Sequence, residues 1–192
     1  MLTRLKVSGF KNLVDVDIHF GPFTCIAGLN GAGKSNLFDA IRFLNLLTKH
    51  PIMEAVQLLR ETKGRSPEPK SLFTAFEGFR AEELRFTAEM IVARDVQDDF
   101  GVPATASISS LRYEVAFRLS SEDGADRLEL VSESLAPISL AEARRVVGFP
   151  ISAEFRDSAM TGARRGGAVY FQQGRSGHGP SGKTWRTEGS GA

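Results

Sequence analysis

Eight residues constrain this chain more than any others. Gly28-Leu29-Asn30-Gly31-Ala32-Gly33-Lys34-Ser35 satisfies the pattern G-x-x-x-x-G-K-[ST] in full. Its glycines permit backbone conformations and close approaches that a Cβ forbids. Successive N–H groups can then turn inward and form a concave nest for an anion. The flanking sequence decides whether the pattern carries that chemistry. Before the loop, Phe23-Thr24-Cys25-Ile26-Ala27 is short and almost wholly apolar, which fits a central strand covered on both faces. After it, Leu37, Phe38, Ala40, Ile41, Leu44 and Leu47 recur at three- and four-residue spacing, the mark of an amphipathic helix that starts at the loop's end. A helix N-terminus adds partial positive charge to such a nest. The order strand, glycine loop, helix therefore predicts a polyphosphate site. Its residues are Gly28, Asn30, Gly31, Ala32, Gly33, Lys34, Ser35 and Asn36. Lys34 is expected to reach the β- and γ-phosphates of ATP, and the Ser35 hydroxyl to ligate Mg²⁺.

A second stretch, Gly177-His178-Gly179-Pro180-Ser181-Gly182-Lys183-Thr184, satisfies the same pattern. No helical periodicity follows it. Trp185 to Ala192 is polar and glycine-containing, so neither a dipole nor an ordered nest is expected there. We read it as a chance match in a low-complexity tail.

Elsewhere the chain reads as strands. Leu5 and Val7 alternate with polar neighbours, and Val14, Val16, Ile18 and Phe20 alternate with Asp15, Asp17 and His19. With the apolar run at 23–27, three short strands are expected ahead of the loop. Pro51 interrupts the helix and is placed to open another, running to about Thr62. Leu84 to Val92, Leu111 to Leu119 and Arg127 to Leu135 predict an antiparallel meander. Leu140 to Val147 predicts a short helix, and Ala168 to Gln172 a last strand. The expected fold class is α/β: a P-loop NTPase core over residues 1–62, with an appended antiparallel β-subdomain over 84–173. Residues 174–192 are expected to be a flexible tail, because their composition cannot offset ordering entropy.

Composition narrows the setting. Charge is nearly balanced, with 24 basic and 23 acidic residues. It argues neither for nor against nucleic acid. The one cysteine, Cys25, falls in an apolar run and is expected to be buried; no disulfide can form within one chain. The N-terminus does not read as a signal peptide, and no run reaches a membrane span. A cytoplasmic setting without membrane contact is expected. His19, His50 and His178 lack metal-ligand spacing. Arg144, Arg145, Arg156, Arg164 and Arg165 raise the local basic density, read as solvated loop residues ahead of DNA contacts.

Leu5-Lys6-Val7-Ser8-Gly9-Phe10-Lys11-Asn12-Leu13, followed by the run from Phe23 to Ile41, resembles the ATP-binding head of the ABC-type SMC, RecF and OLD-like ATPases. The resemblance is specific over residues 1 to about 48. It implies that Lys11 and Asn12 lie near the ribose, base or α-phosphate; an ordinary surface turn between two strands is the competing reading. It implies ATP-driven homodimerisation, and roles in DNA repair, chromosome maintenance or phage defence with DNA as a partner. It also implies a glutamine that senses the γ-phosphate, for which Gln172 or Gln173 is the candidate. The family's apolar strand ending in Asp-Glu and its signature motif are not found in this sequence. The chain therefore reads as a first lobe without its second. Hydrolysis is expected of a complete protein; the alternative is a nucleotide-binding or dimerisation module without catalysis of its own.

Overall fold

Alternation of apolar and polar side chains builds the first hairpin. Strand β1 (Leu2–Phe10) buries Thr3, Leu5 and Val7 and exposes Lys6. It pairs antiparallel with β2 (Leu13–His19) across the two-residue turn Lys11-Asn12. The chain continues through helices α1 (Lys34–Leu47) and α2 (Ile52–Gln57), then a 3-10 turn at Pro69–Leu72. Next come the small hairpin of β3 (Ala75–Phe76) and β4 (Phe79–Arg80), the long strand β5 (Glu83–Ile91), and a second small hairpin of β6 (Asp95–Gln97) and β7 (Pro103–Thr105). Strands β8 (Ser110–Glu122), β9 (Ala125–Pro137) and β10 (Tyr170–Gln173) complete the order. This computed structural model describes residues 1–59, 68–93, 95–97, 101–105, 108–122, 124–139, 142 and 170–173.

The meander is present and shares a sheet with the first hairpin. β5 pairs with β1, so one antiparallel sheet runs β10-β9-β8-β5-β1-β2. The register matches Val7 to Phe86 and Phe86 to Val115, which lines apolar residues across the strands. Sequence periodicity locates strands but carries no information about which distant strand each one joins. β8 and β9 run longer than the apolar alternation suggested, because their far ends pair with each other as a hairpin up to Glu122 and Ala125.

Helix α1 covers this sheet. Leu37, Ala40, Phe43 and Leu47 are its buried apolar residues. Phe43, absent from the stripe expected of this helix, is the centre of the contact. Its ring lies 6.2 Å from Phe10, 5.8 Å from Phe86 and 5.8 Å from Phe117, centroid to centroid. Phe38, expected in the stripe, is 57% exposed. The stripe passes through 37, 40, 43 and 47, which turns 38 outward. Gly9, in β1, has a φ of +77°, and a Cβ there would stand 2.3 Å from the Glu83 carbonyl oxygen, so only glycine lets the two strands approach.

Several expectations are corrected. Phe23 to Ala27 is not a strand, and only two strands precede the loop. Phe23 is 88% exposed, and Cys25 is exposed where burial was expected. A covered central strand needs partners on both sides, and no described strand pairs with this run. Helix α2 follows Pro51 as expected but ends at Gln57, not near 62; residues 60–67 lie outside the described residues. The helix expected over 140–147 and the tail 174–192, with its second glycine motif, lie outside them too, apart from Glu142. No helix among the described residues is long and apolar enough to cross a membrane.

Phe43 joins α1 to three strands, so Phe43→Ala is expected to destabilise the chain by about 3–5 kcal/mol, read from the midpoint of chemical denaturation. A loss under about 1 kcal/mol would remove Phe43 from the centre of the core.

Candidate functional site

The glycine loop joins the exposed 23–27 segment to α1. Gly33 is the N-cap of α1, with φ +94° and no side-chain capping bond. The first amide groups of a helix have no intrahelical acceptor. Here Leu37 N–H already donates to Gly33 O at 2.9 Å, which leaves the amides of Lys34, Ser35 and Asn36 at the helix mouth. A cleft of about 250 Å³ opens there, lined by Asn30, Gly31, Gly33, Lys34, Ser35 and Asn36. Six of the eight residues expected to bind phosphate therefore come together. Gly28 stands just outside this lining and accepts a hydrogen bond from Lys34.

Lys34 folds back over the loop. Its ammonium donates to Gly28 O at 2.6 Å and Leu29 O at 2.7 Å. Its partners are neutral carbonyls, and no carboxylate among the described residues pairs with it. Among the described residues no carboxylate lines the cleft either. An anion entering it meets a lysine, a helix N-terminus and backbone amides, all of one electrostatic sign. For Mg²⁺, the donor set is suitable: the Ser35 hydroxyl is a hard oxygen, and no thiol or imidazole lines the cleft. Mg²⁺ takes few protein ligands and fills the rest of its octahedron with water and phosphate oxygens.

The β1–β2 turn holds the loop in place. Lys11 has φ +50°, in the left-handed region, and its N–H donates to Leu72 O at 2.7 Å. Its ammonium pairs with Asp39 of α1 at 2.6 Å, with side chains 17% and 6% exposed. Asn12 follows. Its Nδ2 donates to Gly31 O at 3.3 Å, and its Oδ1 accepts from Asn36 Nδ2 at 2.8 Å. Lys11 and Asn12, expected near the ribose, base or α-phosphate, contact α1 and the loop itself in this structure. Asp39 was missed from the sequence. Its signal was a carboxylate one residue from the apolar stripe of a helix, which burial obliges to find a cation.

A second, larger groove of about 660 Å³ adjoins the cleft, and Asn36 lines both. Lys11, Asn12, Val14, Phe73, Thr74 and Phe76 also line it. Lys70 at its margin bonds Glu68 at 3.1 Å; that hydrogen bond, with the charges of Glu68 and Asp126, raises its ammonium above the ordinary lysine range. Gln172 and Gln173 are not brought to the cleft. β10 is the opposite edge of the sheet from β2, with β9, β8 and β5 between it and β1. Strand spacing alone puts roughly 19 Å between β10 and β1. The arginines at 144, 145, 156, 164 and 165 lie outside the described residues. His50 bonds Glu54 one helical turn away at 2.8 Å, and no described cluster of His, Cys, Asp or Glu could hold a metal.

An antiparallel sheet covered by one long helix, with a glycine loop at the helix mouth, is consistent with a lobe of an ATPase. The family described as RecF/RecN/SMC N terminal domain matches residues 1–58. The OLD nuclease of Thermus scotoductus is 51% identical over 41 residues, 21% of this chain and 8% of the nuclease. The DNA replication and repair protein RecF of Paenarthrobacter aurescens is 38% identical over 60 residues, 31% of this chain and 15% of that protein. RecF of Parabacteroides distasonis is 39% identical over 51 residues, 26% of this chain and 14% of its own length. A solved SMC ATPase chain, from structural biochemistry of ATP-driven dimerization and DNA stimulated activation, overlays with a TM-score of 0.43 at 19% identity, covering 81% of this chain and 89% of its own. Over residues 1–58 this chain is thus similar to the N-terminal part of SMC/RecF/OLD-like ABC-type ATPases. The matched segments span less than a sixth of the curated relatives' length, as the 8%, 15% and 14% shares state.

A Cβ on Gly33 would stand 2.9 Å from Asn12 Oδ1, at a φ that side chains rarely adopt. Gly33→Ala is therefore expected to displace Asn12 and weaken tripolyphosphate binding at least about tenfold, measured by calorimetry. Unchanged affinity would show that the Asn12 contact does not shape the loop.

Proposed function

We propose that residues 28–36 bind the triphosphate of ATP with Mg²⁺, and that the chain is the nucleotide-binding part of an SMC/RecF/OLD-like ATPase. The observation that carries this reading is the uncompensated Lys34 ammonium over a cleft lined by glycine backbone and the start of α1. On binding, the phosphates replace the two loop carbonyls as partners of Lys34, a stronger, charge-assisted contact. The amides at the head of α1 donate to phosphate oxygens that they otherwise lack. Ser35 supplies the hydroxyl ligand to Mg²⁺. Bound Mg²⁺ supplies neutralisation of charge on the β- and γ-phosphate oxygens.

The process follows from the relatives. RecF is named for DNA replication and repair and the OLD protein as a nuclease. By that analogy the complete protein hydrolyses ATP, pairs with a second copy under ATP and acts on DNA in repair, chromosome maintenance or phage defence. Gln172 and Gln173 keep a γ-phosphate-sensing role in this reading only if the assembled protein brings β10 to the cleft.

One observation favours a second reading, binding or dimerisation without turnover by this chain. The cleft is lined by amides, a lysine, a serine and two asparagines. None of these is a general base able to polarise an attacking water.

Lys34→Ala is expected to lower Mg-ATP affinity by at least about tenfold, enough to remove the calorimetric signal. An unaltered titration in a folded variant would refute the site. The chain alone is expected to bind ATP while releasing little phosphate; brisk, Lys34-dependent release would overturn the second reading.

A further inference from the structure

The β1–β2 turn meets the head of α1 at two points. Lys11 Nζ pairs with Asp39 at 2.6 Å, and Asn12 Oδ1 accepts from Asn36 Nδ2 at 2.8 Å. Residues 36 and 39 stand three apart on the helix, so they neighbour each other on one face. The turn is also fixed to the body of the fold. Lys11 N–H donates to Leu72 O at 2.7 Å, and the Lys11 ammonium stands over the ring of buried Phe10, 5.5 Å from its centroid. Between these anchors runs the glycine loop. Asn12 Nδ2 donates to Gly31 O at 3.3 Å, and Asn12 Oδ1 lies 2.9 Å from where a Cβ on Gly33 would stand.

Charge decides how Lys11 can serve the site. An ammonium this close to the loop could touch a polyphosphate or brace the loop that holds one. The Asp39 carboxylate is only 6% exposed, so an ammonium that left it for a ligand would strand a buried charge. Lys34 differs. Its bonds go to the carbonyls of Gly28 and Leu29, which an anion outcompetes. Lys34 is therefore the cation that turns to a phosphate, and Lys11 stays with the helix.

We propose that Asp39 is a positioning residue for the phosphate site: by holding Lys11 it sets Asn12 against the glycine loop, and neither Lys11 nor Asp39 touches the nucleotide. The proposal rests on the triphosphate reading of the cleft. It departs from the ribose, base or α-phosphate contact that the resemblance implies for Lys11. The two roles differ in sign. A contact lysine released from its carboxylate gains strength toward an anion. A bracing lysine released from its carboxylate lets the turn shift, and the loop shifts with Asn12.

The test is calorimetry of the full chain with Mg²⁺, titrating ATP and inorganic tripolyphosphate in parallel, at a temperature where each variant's circular dichroism matches the wild type. Asp39→Asn keeps the side chain's size and removes its charge. It is expected to weaken both ligands about tenfold and by the same factor, and Lys11→Met to do likewise. Tighter binding in Asp39→Asn with weaker binding in Lys11→Met overturns the proposal, since Lys11 would then touch the ligand. Unchanged affinity in either variant overturns it too, because the pair would then serve stability alone. A loss on ATP without a loss on tripolyphosphate does the same, since the loop would hold phosphates as before. Reversing the pair, with Lys11→Asp and Asp39→Lys together, is expected to restore both affinities to within about threefold. Aspartate tolerates the left-handed backbone at position 11, and the reversed pair strands no charge, so it carries the test where a single variant does not fold. A folded reversed pair that binds as weakly as the single variants overturns the positioning role. A wild type that binds neither ligand defeats the triphosphate reading itself.

Discussion

The Lys11–Asp39 ion pair fixes where the glycine loop can stand. It is 2.6 Å long and mostly shielded from water, and it ties the β1–β2 turn to the second turn of α1. Such a pair adds little net stability when weighed against an apolar replacement, but removing one partner strands the other at a cost of about 3–5 kcal/mol. It therefore acts as a register device. With Lys11 held, Asn12 is carried over the loop, where one amide satisfies both the Gly31 carbonyl and the Asn36 side chain. Asn12 in turn occupies the space that a Cβ on Gly33 would fill. Lys11 has a left-handed backbone, a conformation costing a non-glycine residue roughly 1–2 kcal/mol, and the Leu72 carbonyl and Asp39 carboxylate together hold it there. The path from the sheet to the loop is continuous and made of side chains that neighbour each other in sequence.

What the sequence reveals depends on range. The start of α1 at Lys34 was legible, because the change from glycine-rich to three-and-four-residue apolar spacing is a local event. The strands at 83–91, 110–122 and 125–137 were legible from alternation. Their assembly with β1 into one sheet was not, because pairing between Leu5 and Ala88 spans more than eighty residues and leaves no local mark. Phe43 was missed because 43 and 44 both continue a helical stripe from 40, and only the sheet's position decides between them. Likewise, the hairpin at 75–80 left no mark in the sequence, since two-residue strands carry no period.

The segment at 23–27 shows the converse error. Its composition suits a strand covered on both faces, and that inference from composition is sound as far as it goes. Burial, though, is a property of partners. β2 is the sheet's edge, and the described residues offer 23–27 no ladder; of the segment only Ile26 packs, partly buried, against the core. Phe23 and Leu29, 88% and 85% exposed, flank the segment and the loop. A segment with few apolar contacts lies at the low-stability end of a fold. The glycine loop thus has one firm anchor, through Asn12 and α1, and one loose one.

That asymmetry bears on what the site can do. A nest of amides and a lysine gains most from a ligand that satisfies both ends of the loop at once. A triphosphate in the proposed site would do so, by replacing the Gly28 and Leu29 carbonyls that Lys34 now bonds and engaging the helix mouth as well. Binding would then order the loose end, so part of the electrostatic gain is offset by the entropy of fixing those residues. Retention of the phosphates is within reach of the groups present. Activation of water is a different demand, needing a base within about 3 Å of the nucleophile. The carboxylate nearest in sequence, Asp39, is committed to Lys11 and largely buried. Recruiting it would dismantle the register that forms the cleft, so under the proposed function holding the nucleotide and cleaving it would be chemically separate tasks.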